Sequence, residues 1–197
     1  GQFDVIVTHH PLIFHPLSSL TAADPIGARV LRLVQNGIAV MSFHTRLDVV
    51  QDGVNDCLAS LLGLSDRTPL CADGLGRVGT LPRARSLADF AAQFRAATGA
   101  PYVEAADAGR PVFRVAVLGG AGGDEIGAAL AAGADTFVTG EVKYNVFAEA
   151  REAGLNLIVG GHYFTENTVC ARLETLVRAI LPDAALQRMD SCPCVVY

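Results

Sequence analysis

Five short apolar runs, at 5–8, 38–43, 112–118, 136–139 and 155–159, constrain most tightly what this chain can become. None keeps a strict apolar–polar alternation, so each reads as a strand buried on both faces. Helical patterns lie between them, several with recognisable starts and stops. Asp24-Pro25 offers an N-cap and then proline at the first helical position, leading into 28–34. Asp52 precedes a pattern over 54–62 that Gly63 closes, and Ser86 with Asp89 resembles a capping box ahead of 90–97. Further helical stretches cover 125–132, 146–153 and 167–180. Buried strands separated by helices predict an α/β fold with largely parallel sheets covered by helices.

With 51% hydrophobic and 18% charged residues, the chain has ample material for a core. Fifteen basic against twenty acidic residues give a formal charge of −5, which argues against a broad basic surface for nucleic acid or anionic membrane. Glycine, proline or charge interrupts every apolar run before it reaches bilayer length. Cys57, Cys71, Cys170, Cys192 and Cys194 are odd in number and lack zinc-ribbon spacing, so a reduced, cytoplasmic protein is expected. The first strand pattern starts almost at once, and no leader is recognisable, which suggests a chain shortened at its N-terminus.

A faint internal echo bears on organisation. Residues 4–8 resemble 135–139 in character, and Gly37 to Asp48 runs parallel to Gly154 to Glu166. Each half has a glycine-led strand ending in histidine with an acid four residues on. Either strand sequences coincide by chance, or two related lobes face each other across a cleft. The second reading puts one lobe at 1–80, a connecting helix and turn at 81–110, and a second lobe at 111–197.

Four of the five histidines (His9, His10, His44 and His162) lie just past predicted strand ends, the edge where open α/β sheets bind ligands. Adjacent residues of an extended segment point to opposite sides, so His9 and His10 would fan around a site larger than one ion. Asp48 and Glu166 follow His44 and His162 by four residues, which is one helical turn. Each residue alone has an ordinary explanation, as a hydrogen-bonded structural histidine or a helix-start acid. Their coincidence at three equivalent strand ends favours metal binding. Mixed imidazole and carboxylate donors suit Zn, Fe or Mn without choosing among them.

The segments Thr8 to Phe14 (Thr-His-His-Pro-Leu-Ile-Phe), His44 to Asp48 (His-Thr-Arg-Leu-Asp) and Gly161 to Glu166 (Gly-His-Tyr-Phe-Thr-Glu) resemble the signature blocks of one family. It is the NIF-three-like dinuclear metal centre family, known in places as type 2 GTP cyclohydrolase I. Gly76-Arg77-Val78-Gly79, the 119–123 glycine loop and Thr139 to Tyr144 resemble further blocks in the same order. The resemblance implies two-lobed α/β subunits in homohexamers, with two divalent metal ions per subunit between the lobes. Carried over by position, the metal ligands would be His9, His10, Asp48, His162 and Glu166, with Glu166 the bridge. His44 would stand beside them, in contact with substrate or acting as an acid.

Two departures stand out: Glu141 replaces the aspartate of a family block and Asn145 its histidine. The activity implied is hydrolysis of a nucleotide-like anionic small molecule. The alternatives are phosphoester hydrolysis at the same ions, or a non-catalytic metal-loaded scaffold or regulator. Lys143 and Arg46 are candidate anion contacts. Gly119, Gly120 and Gly122 could offer backbone amides to a phosphate, although a plain tight turn would use the same residues.

Overall fold

The computed structural model describes residues 3–195. The chain is α/β, and its contacts divide it into two compact units, residues 1–47 and 48–197.

In the first unit, strand β1 (Val5–Thr8) crosses through helix α1 (Pro25–Gln35) to strand β2 (Ala39–Ser42). The two strands are parallel, with Val5 opposite Ala39 and Thr8 opposite Ser42. Asp24 caps α1 as its position predicts, its Oδ1 accepting from the Gly27 amide at 2.8 Å. Gly27 is obligatory, because a side chain there would overlap the Thr21 carbonyl. Helix α2 (His44–Val49) follows β2 almost without a loop, starting in the first unit and ending in the second.

The second unit holds helix α3 (Val54–Leu61), strands β3 (Ser65–Pro69) and β4 (Arg77–Arg85), helix α4 (Leu87–Thr98) and strands β5 (Glu104–Ala106) and β6 (Val112–Leu118). A 3₁₀ turn (Gly123–Glu125) then leads through helix α5 (Ile126–Ala131), strand β7 (Thr136–Thr139), helix α6 (Tyr144–Glu152), strand β8 (Asn156–Val159), and helices α7 (His162–Glu166) and α8 (Val169–Ile180). Among the described residues the sheet order is β3-β4-β6-β7-β8-β5. Its centre, β6-β7-β8, is parallel, while β3, β4 and β5 join antiparallel, so the sheet is mixed.

Both faces of the centre are covered from Val115 onwards, which is why β6, β7 and β8 read as largely apolar runs. Along β6, Val115 and Val117 join Leu58, Leu62, Phe90 and Phe94 on the side of α3 and α4. Ala116 and Leu118 face the other way, with Phe137, Ala129, Val146 and Ala150 on the side of α5 and α6. Ser86 caps α4 through the Asp89 amide at 3.1 Å, and Gly99 ends it in the left-handed conformation. No helix among the described residues is long and apolar enough to cross a membrane.

Candidate metal centre

The parallel strands set the site. Leu118, Thr139 and Val159 are in register at the carboxyl ends of β6, β7 and β8, so the loops that follow start side by side. Backbone hydrogen bonds stitch those loops together. Gly140 and Glu141 donate to the Gly120 carbonyl at 2.8 and 2.9 Å, and Gly161 donates to the Gly140 carbonyl at 3.0 Å. The approach demands glycine: a Cβ on Gly140 would lie 2.6 Å from Gly120 O and 2.8 Å from the His162 Cα.

On this floor stands the short helix α7. His162 is its first residue and Glu166, buried, its fifth, which places both side chains on one face. His162 Nε2 lies 3.0 Å from Glu166 Oε1, and its Nδ1 lies 3.3 Å from Glu141 Oε1. The hydrogen bond to Glu166 raises the His162 pKa to about 9, against the opposing effect of burial and with further help from the charges of Glu166 and Glu141. An imidazole and a carboxylate so close together could hold a divalent ion in place of that proton, in competition with it. Glu141, met in the sequence only as a departure from a family block, is thus a partner of His162. Asn145, the other departure, turns to Glu149 on α6 at 2.6 Å.

In the first unit, the parallel register brings the residues after Thr8 and after Ser42 to the same edge. The Thr8 hydroxyl fixes that edge, donating to the His10 carbonyl at 2.7 Å and meeting the Ser42 hydroxyl at 2.8 Å. The Phe43 amide adds a bond to the Thr8 carbonyl at 3.1 Å. The rings of His9, His10 and His44 gather there, with centroids 5.0 to 5.2 Å apart. One nitrogen from each lies within 4.8 Å of the others, close enough to share an ion. The chain bends at His9 and His10, outside β1, so strand alternation does not govern their directions and both rings turn towards His44. The Phe14 ring stands edge-on to His44 at 5.7 Å.

Asp48 lies one turn after His44 on α2, and its main-chain carbonyl accepts from Asn55 Nδ2 at 2.9 Å. Arg46 and Lys143 are both exposed. Gly119, Gly120 and Gly122, expected to turn their amides towards an anion, direct them into the protein instead. Their acceptors are Asn55 Oδ1 at 2.9 Å, Thr165 Oγ1 at 3.0 Å and Thr139 Oγ1 at 3.0 Å. The loop is a wall of the site: a Cβ on Gly120 would overlap Glu166 Oε1 and sit 3.2 Å from His162 Nε2. Asn55 carries no motif, and Thr165 stands inside the Gly161 to Glu166 block without a role of its own in the sequence.

Known proteins resemble this chain in both sequence and fold. Residues 1–191 match the sequence profile of the family described as Duf34/NIF3 (NGG1p interacting factor 3). A Nostoc protein named GTP cyclohydrolase 1 type 2 homolog is 37% identical over 186 residues, covering 91% of this chain and 71% of the relative. A Clostridium perfringens protein of the same name is 30% identical over 195 residues, covering 95% and 71% respectively. The crystal structure of Staphylococcus aureus protein SA1388 superposes with a TM-score of 0.88 at 26% identity, covering 98% of this chain and 80% of that one.

Proposed function

Because the chain belongs to the Duf34/NIF3 family, we propose that it is a dinuclear metal protein whose ligands are His9, His10, Asp48, His162 and Glu166. The observation that carries the reading is the α7 pair, an imidazole and a buried carboxylate 3.0 Å apart beyond the carboxyl ends of the parallel strands β6, β7 and β8. In the first unit His9 and His10, gathered beside His44, add imidazole donors. The donor set fits Zn, Fe or Mn. Five side chains do not saturate two ions, so positions for water or substrate stay open, as catalytic sites require.

The activity proposed is hydrolysis of a nucleotide-like anionic small molecule, in line with the names of the relatives. Bound divalent ions would supply Lewis acidity, lowering the pKa of water and neutralising developing negative charge. The protein's own groups do the rest. His44, which opens α2 beside the Phe14 ring, would carry a proton to or from the reacting group. Arg46 and Lys143, exposed and cationic, are the candidate contacts for an anionic substrate. The reading also includes a homohexamer, which rests on the family, and a cytoplasmic location, which rests on the cysteine pattern.

The test is turnover of GTP and of simple phosphoesters by protein loaded with Zn²⁺ or Mn²⁺, beside Asp48→Ala and Glu166→Ala. Ring-opened product from GTP, abolished by either substitution, is the expected result. Phosphoester cleavage instead would move the assignment to that reaction. No turnover of either by a metal-loaded protein would leave a metal-bearing scaffold and overturn the enzyme reading.

A further inference from the structure

Asn55 sits on α3 with 1% of its surface exposed, so its side-chain amide needs partners within the protein. Its Nδ2 donates to the Asp48 carbonyl at 2.9 Å, and its Oδ1 accepts from the Gly119 amide at 2.9 Å. A carbonyl can only accept and an amide N–H can only donate, so these partners fix which way the side chain faces. From Gly119 the chain passes to Gly120, whose amide donates to Thr165 Oγ1 at 3.0 Å. Thr165 is the residue before Glu166, and its hydroxyl reaches back to the His162 carbonyl at 2.9 Å. A continuous line therefore runs from the main chain of Asp48, through Asn55 and the glycine loop, to the helix that carries His162 and Glu166. The two residues after Asp48 are tied down as well, Arg77 Nη2 donating to the Val49 and Val50 carbonyls at 3.1 Å each.

We propose that Asn55 is a positioning residue for the metal centre, setting where Asp48 stands relative to the His162–Glu166 pair without touching an ion. The inference deepens the reading above and rests on it. The residue type is specific to the task. Aspartate at this position would lose the donor that holds Asp48, leucine would leave both backbone groups unmet, and glutamine is one methylene too long for the span. Serine would shorten the side chain and admit water, which can satisfy both backbone groups but cannot hold a fixed separation. A residue that merely satisfied buried backbone groups would affect folding alone. A positioning residue acts on the folded protein's grip on its ions.

The experiment measures Zn²⁺ and, in parallel, Mn²⁺ affinity by chelator competition for wild type, Asn55→Ser, Thr165→Val and Glu166→Ala. Circular dichroism fixes the folded fraction of each. Thr165→Val cuts the same line at its far end with little change of shape, so the inference does not hang on one variant folding. Both variants should bind about 10- to 100-fold more weakly per folded molecule, the usual effect of disturbing groups that orient ligands. Wild-type affinity in the folded fraction of both variants would overturn the positioning role and leave the metal reading standing. So would losses no larger than the loss of folded protein. A wild type that binds neither ion, or a Glu166→Ala variant that binds as wild type does, would overturn the metal reading and this inference with it.

Discussion

Replacing Gly120 with alanine should disable the metal centre while leaving the fold nearly intact. Gly120 has φ of +74°, a conformation in which an L-residue costs about 1–2 kcal/mol. The added Cβ would overlap Glu166 Oε1 and press on His162 Nε2 at 3.2 Å and on Glu166 Cδ at 3.3 Å. The overlapped atom is the tip of a side chain rather than backbone, so folding can relieve the clash by swinging the carboxylate away. That retreat must be roughly half an ångström or more, whereas ligand distances tolerate about 0.2 Å. Stability therefore falls by the dihedral cost and, below about pH 9, by the contribution of the His162–Glu166 pair, which is pulled apart. Gly154→Ala is the matched control, with the same φ of +74° and nothing within 4 Å of the new Cβ. Urea unfolding of the metal-free proteins above pH 9, where the His162–Glu166 pair no longer contributes, should place the two variants within about 1 kcal/mol of each other. Chelator competition should show at least a tenfold weaker metal affinity in Gly120→Ala alone. Equal metal affinity in both variants would refute the reasoning.

Three further outcomes follow from the same geometry. Arg77→Met strands the Asp56 carboxylate, which accepts from the guanidinium at 2.8 and 3.0 Å; urea unfolding should show a loss of about 3–5 kcal/mol, recovered in part by adding Asp56→Leu. In the metal-free protein the His162 pKa of about 9 stands above its ordinary 6.5, so the contribution of the pair is full below pH 6.5 and is lost as pH rises through 9. The thermal midpoint of metal-free wild type should therefore lose its lead over Glu166→Gln between pH 6.5 and 9, and a constant gap would contradict the assignment. His44→Ala should abolish turnover of whichever substrate is accepted while keeping metal content at the wild-type level; loss of metal would make His44 a ligand.

The parts of this molecule legible in its sequence are those under the strongest local constraint. Strands β6, β7 and β8 announce themselves because both faces of the sheet centre are covered, as Val115 and Ala116 show by burying in opposite directions. Asp24, Ser86 and Gly63 mark helix ends because capping is short-range chemistry. Strand β3 was not readable: every residue from Ser65 to Pro69 is exposed, and its pairing with β4 is shifted by a bulge. Strand β4 hides behind Gly79 and Pro82. The glycine is required by a close approach, since a Cβ there would lie 2.7 Å from the Ser65 carbonyl. The proline falls in the stretch where pairing with β6 breaks between Thr80 and Arg85.

The site divides in the same way. His162 and Glu166 were found by helical spacing, and His9, His10 and His44 by their places after strands. Asn55, Thr165 and Glu141 act through partners distant in sequence or through a loop's backbone, and no spacing rule reports such contacts. The glycine loop shows the converse, a motif whose residues are needed for close packing against Glu166 and whose amides are spent within the fold.

The central claim is that these side chains hold metal, and elemental analysis of protein purified without chelator tests it most directly. Two divalent ions per chain in the wild type, falling sharply in Glu166→Ala, is the result the account predicts. Protein that carries no metal and takes up none when titrated with Zn²⁺, Mn²⁺ or Fe²⁺ would contradict it.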